Sequence, residues 1–540
     1  MIIGLMVLIV KEGGSTFWPQ RVVRIDSTDG TSRMGEISST EMYVPGPHVM
    51  AGLSDDTARR VRDVIAADGG VRRRMLRSGN FDLTGTHYTW IDDFAASGES
   101  LPEWAVVVER MSWGRFYGFP KAFVIENEVV ARGPEAAWSR FKSVHASVRA
   151  RFEERQDLET GAIGAINAEM EAGRLALRKA ELSSGTGSFE YEQARALNDE
   201  QQIELKSRFE SARDAVRTLD AENARYQLLF ETADGAEMTI PAVDIVRAYA
   251  ANQLGFVERV AVYLSRWWEF LSEAPREANS EGGVFPAIIG TVVMTLVMAI
   301  LAVPFGVLAA LYLREYATQG WLVSIVRIAV NNLAGVPSIV FGVFGLGFFC
   351  YVVGASVDTL LYAEKLPNPT YGKGGLIWAA FTLGLLTLPV VIVATEEALA
   401  AVPRSMREGS YACGATKWQT IRRIVLPRAL PGIMTGMILA IARGAGEVAP
   451  LMLVGAVKLA PELVVEANST APFVHLHPER SFMHLGFHIY DLGFQSQNSE
   501  AARPMVYTTT LLLIAIIVIL NITAIWVRER LKRRYAAGAF

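Results

Sequence analysis

The sequence predicts an α-helical polytopic membrane protein that also carries a polar α+β domain with a helical coiled-coil hairpin. Three observations support this fold class. Apolar residues make up 51% of the 540 residues, yet nearly all long apolar runs lie between residues 285 and 527. Residues 20 to 283 are polar and charged, with short β-branched runs followed by a heptad pattern. The later apolar runs are long enough to span about 30 Å of hydrocarbon, which takes about 20 residues.

The charge balance and the cysteines exclude some classes of protein. The chain has 52 Lys and Arg against 56 Asp and Glu, a formal net charge of -4, and no basic tract that suits a nucleic-acid backbone. Its two cysteines, Cys350 and Cys413, both lie outside the polar block, so no disulfide is predicted within that block. A periplasmic location remains compatible with this composition because disulfides are optional there.

The first residues, 1–14, are predicted to form a partial first transmembrane helix. The run MIIGLMVLIV is followed directly by Lys11 and Glu12, so its apolar part is about half the length of a span. It also lacks the basic leader of a signal peptide. We expect the natural start of the protein to lie about ten residues upstream. A buried core segment is the alternative.

Residues 15–283 are predicted to form the polar α+β domain. Strands are indicated by β-branched runs at Arg21–Ile25, Trp104–Glu109 and Ala122–Val130, with turn signals nearby. A helix is predicted over Val61–Ala67. Residues 227–250 are predicted to return to this mixed domain after a long helical insertion.

The insertion, about 134–230, is predicted to be an antiparallel coiled-coil hairpin. Apolar residues recur at alternating spacings of three and four, and Ser183 to Ser188 form a glycine- and serine-rich hinge. One predicted seam contains Ile163, Ile166, Met170 and Leu177, and the other contains Leu205, Phe209, Ala212, Val216, Leu219, Asn223 and Tyr226. A buried Asn223 would specify the register of the two helices. A solvated spacer and a binding arm are both compatible with this pattern.

Residues 284–530 are predicted to form the transmembrane domain, and 531–540 a cytoplasmic tail. Arg and Lys concentrate in the tail and in the connections around 313–324 and 400–427, whereas the connections around 355–375 and 458–505 hold few cations. Cations favour the cytoplasmic side, which places the tail inside and residues 15–283 in the periplasm. Counting the partial first helix, six helices are predicted. The five later spans are Phe285–Leu313, Ser324–Val353, Leu376–Leu399, Ala429–Val457 and Tyr507–Val527.

A loop at 404–427 carries the most specific pattern in the sequence. Glu408 is followed six residues later by Gly414, ten residues after that by Ile424, and then by Leu426 and Pro427. This spacing resembles the coupling loop of ABC importer permeases, although a glycine and a serine follow Glu408 where the family has alanines. We expect two short helices, one before Gly414 and one over residues 417–425, joined by a left-handed glycine turn. An ordinary basic cytoplasmic loop is the alternative.

Two ionisable residues, Arg443 and Glu447, lie in the apolar segment after this loop. Their spacing of four places them on one face of a predicted helix. An ionisable residue inside a bilayer costs several kcal/mol, so it usually faces a partner or a water-filled path. Two interpretations remain open: an internal ion pair that braces the helix, and a path on which Arg443 attracts an anionic substrate and Glu447 positions the arginine.

Four motifs lie in the membrane half: NNLAGVPSIVFG at 331–342, EEALAAVP at 396–403, the coupling loop, and RGAGEVAP at 443–450. Together they resemble the PstA-type permease of phosphate ABC transporters. The resemblance covers about 285–530 and does not extend to the polar block. Val448 stands where this family often has threonine. The first motif contains the triplet Val336-Pro337-Ser338, which would interrupt a membrane helix, as occurs in transport paths.

The resemblance implies a permease subunit that translocates inorganic phosphate across the bacterial inner membrane without an ATPase site of its own. No Gly-x4-Gly-Lys-Ser/Thr motif occurs in the chain, so a separate subunit would hydrolyse ATP with Mg²⁺, and this chain would bind no cofactor. The implied partners are a PstC-type permease, a PstB-type ATPase dimer, a PstS-type periplasmic phosphate-binding protein and membrane lipid; no nucleic acid is implied.

Two alternative functions and a cluster of four histidines remain to be considered. The rivals are a permease for another anion and a membrane sensory receptor or adaptor with a periplasmic coiled-coil domain.

Four histidines cluster in a predicted external connection, but no cysteine or ordered set of acids accompanies them. A surface or interfacial role is predicted for them, with no metal site and no catalytic residue. They are His475, His477, His484 and His488.

Overall fold

The structure, a computed structural model, describes residues 2–276, 279, 281–318, 320–467, 474–496 and 499–536. The chain divides into two compact units. The polar unit comprises Phe17–Trp268 and Arg276–Glu281, and the membrane unit comprises Met1–Thr16, Glu269–Pro275 and Gly282–Phe540. Each unit has its own core and is described separately.

The first part of the chain begins with helix α1 (Ile2–Ser15) and then alternates short helices with strands. The strands are β1 (Val22–Ser27), β2 (Ser32–Tyr43), β3 (Val71–Arg77), β4 (Thr89–Asp92), β5 (Ala96–Ser100), β6 (Val106–Arg110), β7 (Phe116–Ile125), β8 (Glu128–Arg132), β9 (Tyr226–Glu231), β10 (Glu237–Pro241) and β11 (Ile245–Ala250). The helices are α2 (Pro47–Ala51), α3 (Asp55–Asp68), α4 (Phe81–Thr84), α5 (Pro134–Asp157), α6 (Gly164–Ser184), α7 (Phe189–Ala224) and α8 (Phe256–Ser272). Two-residue strands follow at Pro275–Arg276 and Glu281–Gly282.

The strands of the polar unit form two antiparallel sheets. The first has the order β4-β3-β2-β1-β5, and the second has the order β10-β9-β7-β6-β11, with β8 beside β7. The second sheet buries Val106, Val108 and Phe123 against Trp138 and Phe141 of α5. The predicted α+β domain is therefore confirmed, and its β-branched runs form the central strands because their side chains fit a half-buried pleated surface.

A helical hairpin projects between β8 and β9. Its first arm, α5, continues through a wider helical turn over Leu158–Ile163 into α6, and α7 forms the returning arm. The left-handed Gly185 ends α6 at the predicted hinge. Asn223 is buried in the predicted seam, and its Oδ1 accepts a hydrogen bond of 2.8 Å from Arg151 Nε. The hairpin is present, while its coiled-coil character stays a prediction.

The membrane unit is almost entirely helical. Among the described residues, five helices are long and apolar enough to cross a membrane: Phe285–Tyr316, Ser338–Leu361, Leu376–Ala400, Lys417–Gly446 and Ala502–Arg530. A short strand pair joins Val465–Ala467 to Val474–Leu476. The individual helices are α9 (Phe285–Leu311), α10 (Trp321–Leu333), α11 (Ser338–Phe344), α12 (Ala355–Leu361), α13 (Leu376–Ala400), α14 (Arg404–Ala412), α15 (Lys417–Thr420), α16 (Leu426–Gly446), α17 (Leu451–Val454), α18 (Leu485–Tyr490) and α19 (Ser499–Ala536).

Helix α13 lies at the centre of the membrane unit, and small residues let its neighbours approach it closely. A Cβ atom built on Gly436 of α16 would lie 2.7 Å from Ala394 Cβ, and one built on Gly432 would lie 2.5 Å from Ala398 Cβ. On the side of α9, a Cβ on Gly306 would lie 2.6 Å from Val391 Cγ1. Small residues at such contacts are typical of membrane helices, whose association depends on close packing.

Two predicted spans have the wrong bounds. Ser324–Val353 is not one helix: α10 ends at Leu333, and the next helix starts at Ser338 directly after Pro337. Pro337 has no N–H for a helical hydrogen bond and clashes with the preceding turn, so the predicted interruption at this triplet is where the chain breaks. The span predicted at Ala429–Val457 instead runs over Lys417–Gly446.

The predicted count of six membrane helices stays a prediction. Helix α1 has 14 residues and packs against α19, where Thr508 Oγ1 donates a hydrogen bond of 3.1 Å to Gly13 O. A Cβ on Gly13 would lie 2.8 Å from Tyr507 O, so only glycine permits this approach. Most of its apolar side chains face outward.

Candidate coupling loop and membrane ion pair

The loop at 404–427 starts with α14, which follows Pro403 at the end of α13. One side of α14 is exposed and includes Glu408, while Arg407 on the other side is partly buried. Gly409 follows in ordinary helical geometry, and a Cβ built there would have no atom within 4 Å. An alanine, as in the family pattern, would therefore fit at position 409, and glycine differs from it here only by its lower helix propensity.

Gly414 forms the predicted left-handed turn. Its φ angle is +79°, its N–H donates to Tyr411 O at 2.9 Å, and Ala415 N–H donates to Ser410 O at 3.2 Å. A Cβ on Gly414 would meet nothing within 4 Å, so backbone strain alone selects glycine here. The turn closes α14 by satisfying carbonyls that the helix leaves unpaired.

The second helix of the loop begins with a capping box. Gln419 N–H donates to Thr416 Oγ1 at 3.3 Å, and Thr416 N–H donates to Gln419 Oε1 at 2.9 Å. Ser410 and Thr420 hydroxyls, 2.8 Å apart, join the two helices. The predicted short second helix is wrong in one respect: it continues through a wider turn over Ile421–Val425 into α16. The wider turn lies directly before Leu426 and Pro427, and proline has no N–H for a regular helical hydrogen bond.

The inner face of the loop is anchored in an apolar cluster. Ile421 and Val425 are buried against Leu399 and Val402 at the end of α13 and against Leu311 of α9. The predicted residues Ile424, Leu426 and Pro427 are only half-buried beside them. The most buried residues of this segment are therefore neighbours of the predicted ones, and the coupling role of the segment stays a prediction.

Arg407 is an anchor that sequence reasoning missed. Its Nη2 donates to Glu315 Oε1 at 2.9 Å and to Leu399 O at 2.8 Å, and its Nη1 donates to Val402 O at 2.7 Å. The Lys417 Nζ also lies 4.9 Å from the ring centroid of Tyr316. The only sequence signal was an arginine shortly after a helix end, where cations commonly bind free carbonyls.

Arg443 and Glu447 are brought together, but not as two residues of one helix. Helix α16 ends at Gly446, and Glu447 has extended backbone angles. Gly444, Gly446 and Pro450 explain this end, because glycine weakens a helix and proline restricts the residue before it. Arg443 Nε lies 3.6 Å from Glu447 Oε1, with side-chain exposures of 35% and 20%.

Three other helices pack around this ion pair. A Cβ built on Gly444 would lie 2.5 Å from Met298 Sδ of α9. A Cβ on Gly342 of α11 would lie 2.8 Å from Pro450 Cα, and one on Gly486 of α18 would lie 2.9 Å from Val448 Cγ2. The pair therefore lies where α16 ends between several helices, and the arginine side chain is only partly covered by this chain.

The surface or interfacial role predicted for all four histidines is wrong for His484 and His488, which are buried within this chain. Thr291 of α9 accepts a hydrogen bond of 2.9 Å from Leu485 N–H and so draws the start of α18 into the core. His484 Nδ1 accepts from Gly486 N–H at 3.1 Å. Burial lowers the pKa of His484 to about 3 and that of His488 to about 4, so both rings are neutral at physiological pH.

The comparison with protein families defines the class of this part of the chain. Residues 302–537, which include the loop and the ion pair, match the family described as "Binding-protein-dependent transport system inner membrane component". Residues 302–537 are therefore similar to the membrane component of binding-protein-dependent importers, and the described part of this region contains several helices long and apolar enough to cross a membrane.

Curated relatives of this region are also permease proteins. The chain is 42% identical over 196 residues to "Phosphate transport system permease protein PstA 1" of Mycobacterium tuberculosis (strain CDC 1551 / Oshkosh), covering 36% of this chain and 59% of that protein. It is 34% identical over 207 residues to "Probable ABC transporter permease protein YqgH" of Bacillus subtilis (strain 168), covering 37% and 63% respectively. The C-terminal part of this chain is thus similar to a phosphate permease of the PstA type.

These similarities cover only part of each protein. The chain spans about 59% of the length of the mycobacterial PstA 1 protein. A solved structure of the methionine ABC transporter MetNI aligns with 49% of this chain and 98% of its own chain, at 21% identity and a TM-score of 0.34. That score is too low to transfer any structural detail.

Proposed function

We propose that this chain is the transmembrane permease subunit of an ATP-driven importer that moves inorganic phosphate inward across the bacterial inner membrane. The carrying observation is the 42% identity to a phosphate permease, in a chain whose permease domain contains both the loop and the ion pair. A permease for another anion would share the fold, whereas a sensory receptor or adaptor would not need a PstA-type domain.

In this proposal the loop couples ATP hydrolysis to transport. Glu408, Tyr411 and Trp418 are exposed, and the ATPase subunit contacts them. Arg407 and the buried side chains of Ile421 and Val425 connect the same loop to the ends of α13 and α9. Motion of the ATPase is therefore transmitted to the membrane helices through these hydrogen bonds and buried side chains of the loop. ATP and Mg²⁺ are bound by the partner and not by this chain.

In this proposal, Arg443 binds phosphate on its path through the membrane. A guanidinium presents several N–H donors in one plane, a geometry that fits phosphate oxygens and that lysine does not reproduce. Glu447, 3.6 Å away, orients the guanidinium and balances its charge when no substrate is present. The partial exposure of Arg443 supports access of a hydrated anion from a water-filled path.

The proposed assembly follows the family resemblance and the cation distribution. Residues 15–283 lie in the periplasm, the loop and the C-terminal residues lie in the cytoplasm, and the partners are a PstC-type permease, a PstB-type ATPase dimer and a PstS-type phosphate-binding protein. The polar domain and its hairpin are positioned to meet periplasmic proteins.

Uptake of labelled phosphate by cells with and without this chain tests the proposal. Cells lacking the chain are expected to lose high-affinity uptake and to regain it when the full chain is supplied. The same comparison with labelled sulfate and labelled molybdate identifies the anion. Loss of phosphate uptake alone supports the proposal; loss of uptake of another anion alone supports the alternative permease, and unchanged uptake of all three anions contradicts both.

A further inference from the structure

Helix α8 has its apolar side chains on the outside. Val257, Ala261, Leu264, Trp268 and Leu271 recur at spacings of four, three, four and three, and together they are named the apolar stripe of α8. Val257, Leu264 and Trp268 are 78%, 59% and 73% exposed. A helix on the surface of a soluble domain normally turns such a stripe toward its core.

Both arginines of the same helix lie on its covered side. Arg266 is 4% exposed, its Nε donates to Glu109 Oε1 at 2.9 Å, and its Nη1 donates to Phe17 O at 3.0 Å. Arg259 Nη1 donates to Pro19 O at 3.4 Å two turns earlier. Rotating α8 to bury the stripe would break these contacts and leave Glu109 without Arg266, so the orientation of the helix is determined.

The C-terminal end of α8 is hydrogen-bonded to the start of the first membrane span. Val284 N–H donates to Phe270 O at 2.8 Å, Phe285 N–H donates to Glu273 O at 3.1 Å, and Gly283 N–H donates to Ala274 O at 3.1 Å. A Cβ on Gly283 would lie 2.2 Å from Glu273 O, so the two segments are in direct backbone contact. The last turn of α8 is therefore at the level where the first span leaves the hydrocarbon.

We propose that the apolar stripe of α8 lies in the interfacial layer of the lipid bilayer. Tryptophan is enriched at this depth, and an amphipathic helix binds there by burying its apolar face among headgroups and acyl chains. The exposed polar residues beside the stripe are Glu258, Ser265 and Ser272, with no exposed Lys or Arg on the described helix. The occupant is thus a lipid surface bound through apolar contacts, without a requirement for anionic headgroups. This inference does not depend on the transported substrate.

Accessibility of a nitroxide side chain tests the position of the stripe. The full chain, with Cys350→Ala and Cys413→Ser, is placed in nanodiscs of zwitterionic phosphatidylcholine and labelled at Leu264→Cys. Ile300→Cys on the first span, 71% exposed, is the lipid control, and Ile203→Cys on the hairpin, 75% exposed, is the water control. Relaxation by molecular oxygen and by a neutral nickel chelate is measured at each site.

We expect the ratio of oxygen to nickel accessibility at residue 264 to be several-fold higher than at 203 and to approach the ratio at 300. The same measurement at Val257→Cys provides an independent position if Leu264→Cys folds poorly. A ratio equal to that at 203 would show a water-exposed stripe and overturn the proposal. Low accessibility to both reagents would also overturn it, because another protein or a second copy would then cover the stripe.

Discussion

The two glycines of the coupling loop have different physical reasons for being glycine. Gly414 has a φ of +79°, which L-residues rarely adopt, although there is free space around its Cα. Gly409 has the same free space but ordinary helical geometry. Substitutions at these two positions therefore distinguish the effect of backbone strain from the effect of an added side chain.

Gly414→Val is expected to weaken the loop by about 1–2 kcal/mol or more, because a β-branched residue is strained in the left-handed region. Phosphate uptake and copurification of the ATPase should fall, while membrane insertion is unchanged. Gly409→Ala is the matched control and should stabilise α14 by about 0.5–1 kcal/mol. Normal uptake by Gly414→Val at equal expression would contradict the role proposed for this turn.

Arg443 and Glu447 allow the bracing and path interpretations to be separated. If the pair only braces the end of α16, the double variant Arg443→Met with Glu447→Leu should assemble and transport, since no lone charge remains. If Arg443 attracts phosphate, as proposed, the double variant should assemble yet lose at least about tenfold in uptake, a loss of about 1.4 kcal/mol in transition-state stabilisation.

Single variants complete this comparison. Arg443→Met alone leaves Glu447 without its cation and should lower the amount of assembled complex more than the double change does. Arg443→Lys should retain intermediate uptake, because it keeps the charge but loses the planar fork. Uptake is normalised to assembled complex in each case, and full activity of the double variant would leave only the bracing role.

At the scale of helices, Arg407 connects the coupling loop to two membrane helices. Arg407→Met would leave Glu315 unpaired and two carbonyls without a donor, so we expect the free energy of unfolding to fall by about 3 kcal/mol. Arg404→Met, on the exposed first turn of α14, should change it by less than about 0.5 kcal/mol. Thermal unfolding of both variants in the same detergent measures the difference; equal transition temperatures would contradict it.

Helix α18 should make the stability of the membrane unit depend on pH. The pKa of His484 is lowered to about 3 when folded, so between pH 6.5 and about 3 the unfolded chain binds a proton that the folded chain does not. The contribution of neutral His484 to the free energy of unfolding is therefore complete above pH 6.5. This contribution is lost as the pH falls, by up to about 1.4 kcal/mol per pH unit.

His484→Asn tests this pH dependence. Asparagine keeps an oxygen that can accept the Gly486 N–H but does not titrate. Transition temperatures at pH 7.5, 6.0 and 5.0 should fall less steeply for the variant than for the natural chain, whatever its stability at pH 7.5. His488 contributes a slope of the same sign, with a pKa of about 4, and remains in both proteins. Parallel curves would show that His484 titrates normally.

For the whole molecule, the testable property is topology. Ser184, at the tip of the hairpin, and Ser405, in the coupling loop, are both exposed. In a chain with Cys350→Ala and Cys413→Ser, Ser184→Cys should react with an impermeant thiol reagent in intact cells, and Ser405→Cys should react only after permeabilisation. The opposite pattern would invert the orientation derived from the loop cations.

The sequence by itself determined the apolar helices of the membrane unit, the α+β class of the polar domain and the position of the glycine turn at Gly414. These depend on local signals: the length of apolar runs, the period of β-branched residues, and a glycine at a required turn. The left-handed Gly414 and the interruption at Pro337 were both predictable, because each follows from the allowed backbone angles of one residue.

Only the tertiary structure decided which side chains meet. Arg407 and Glu315 are far apart in the chain, and no local pattern indicates that the ends of α9 and α13 converge on them. The burial of His484 and the outward stripe of α8 likewise depend on which face neighbouring helices occupy. Periodicity shows that a helix has two faces, but packing energy summed over distant contacts decides which face is buried.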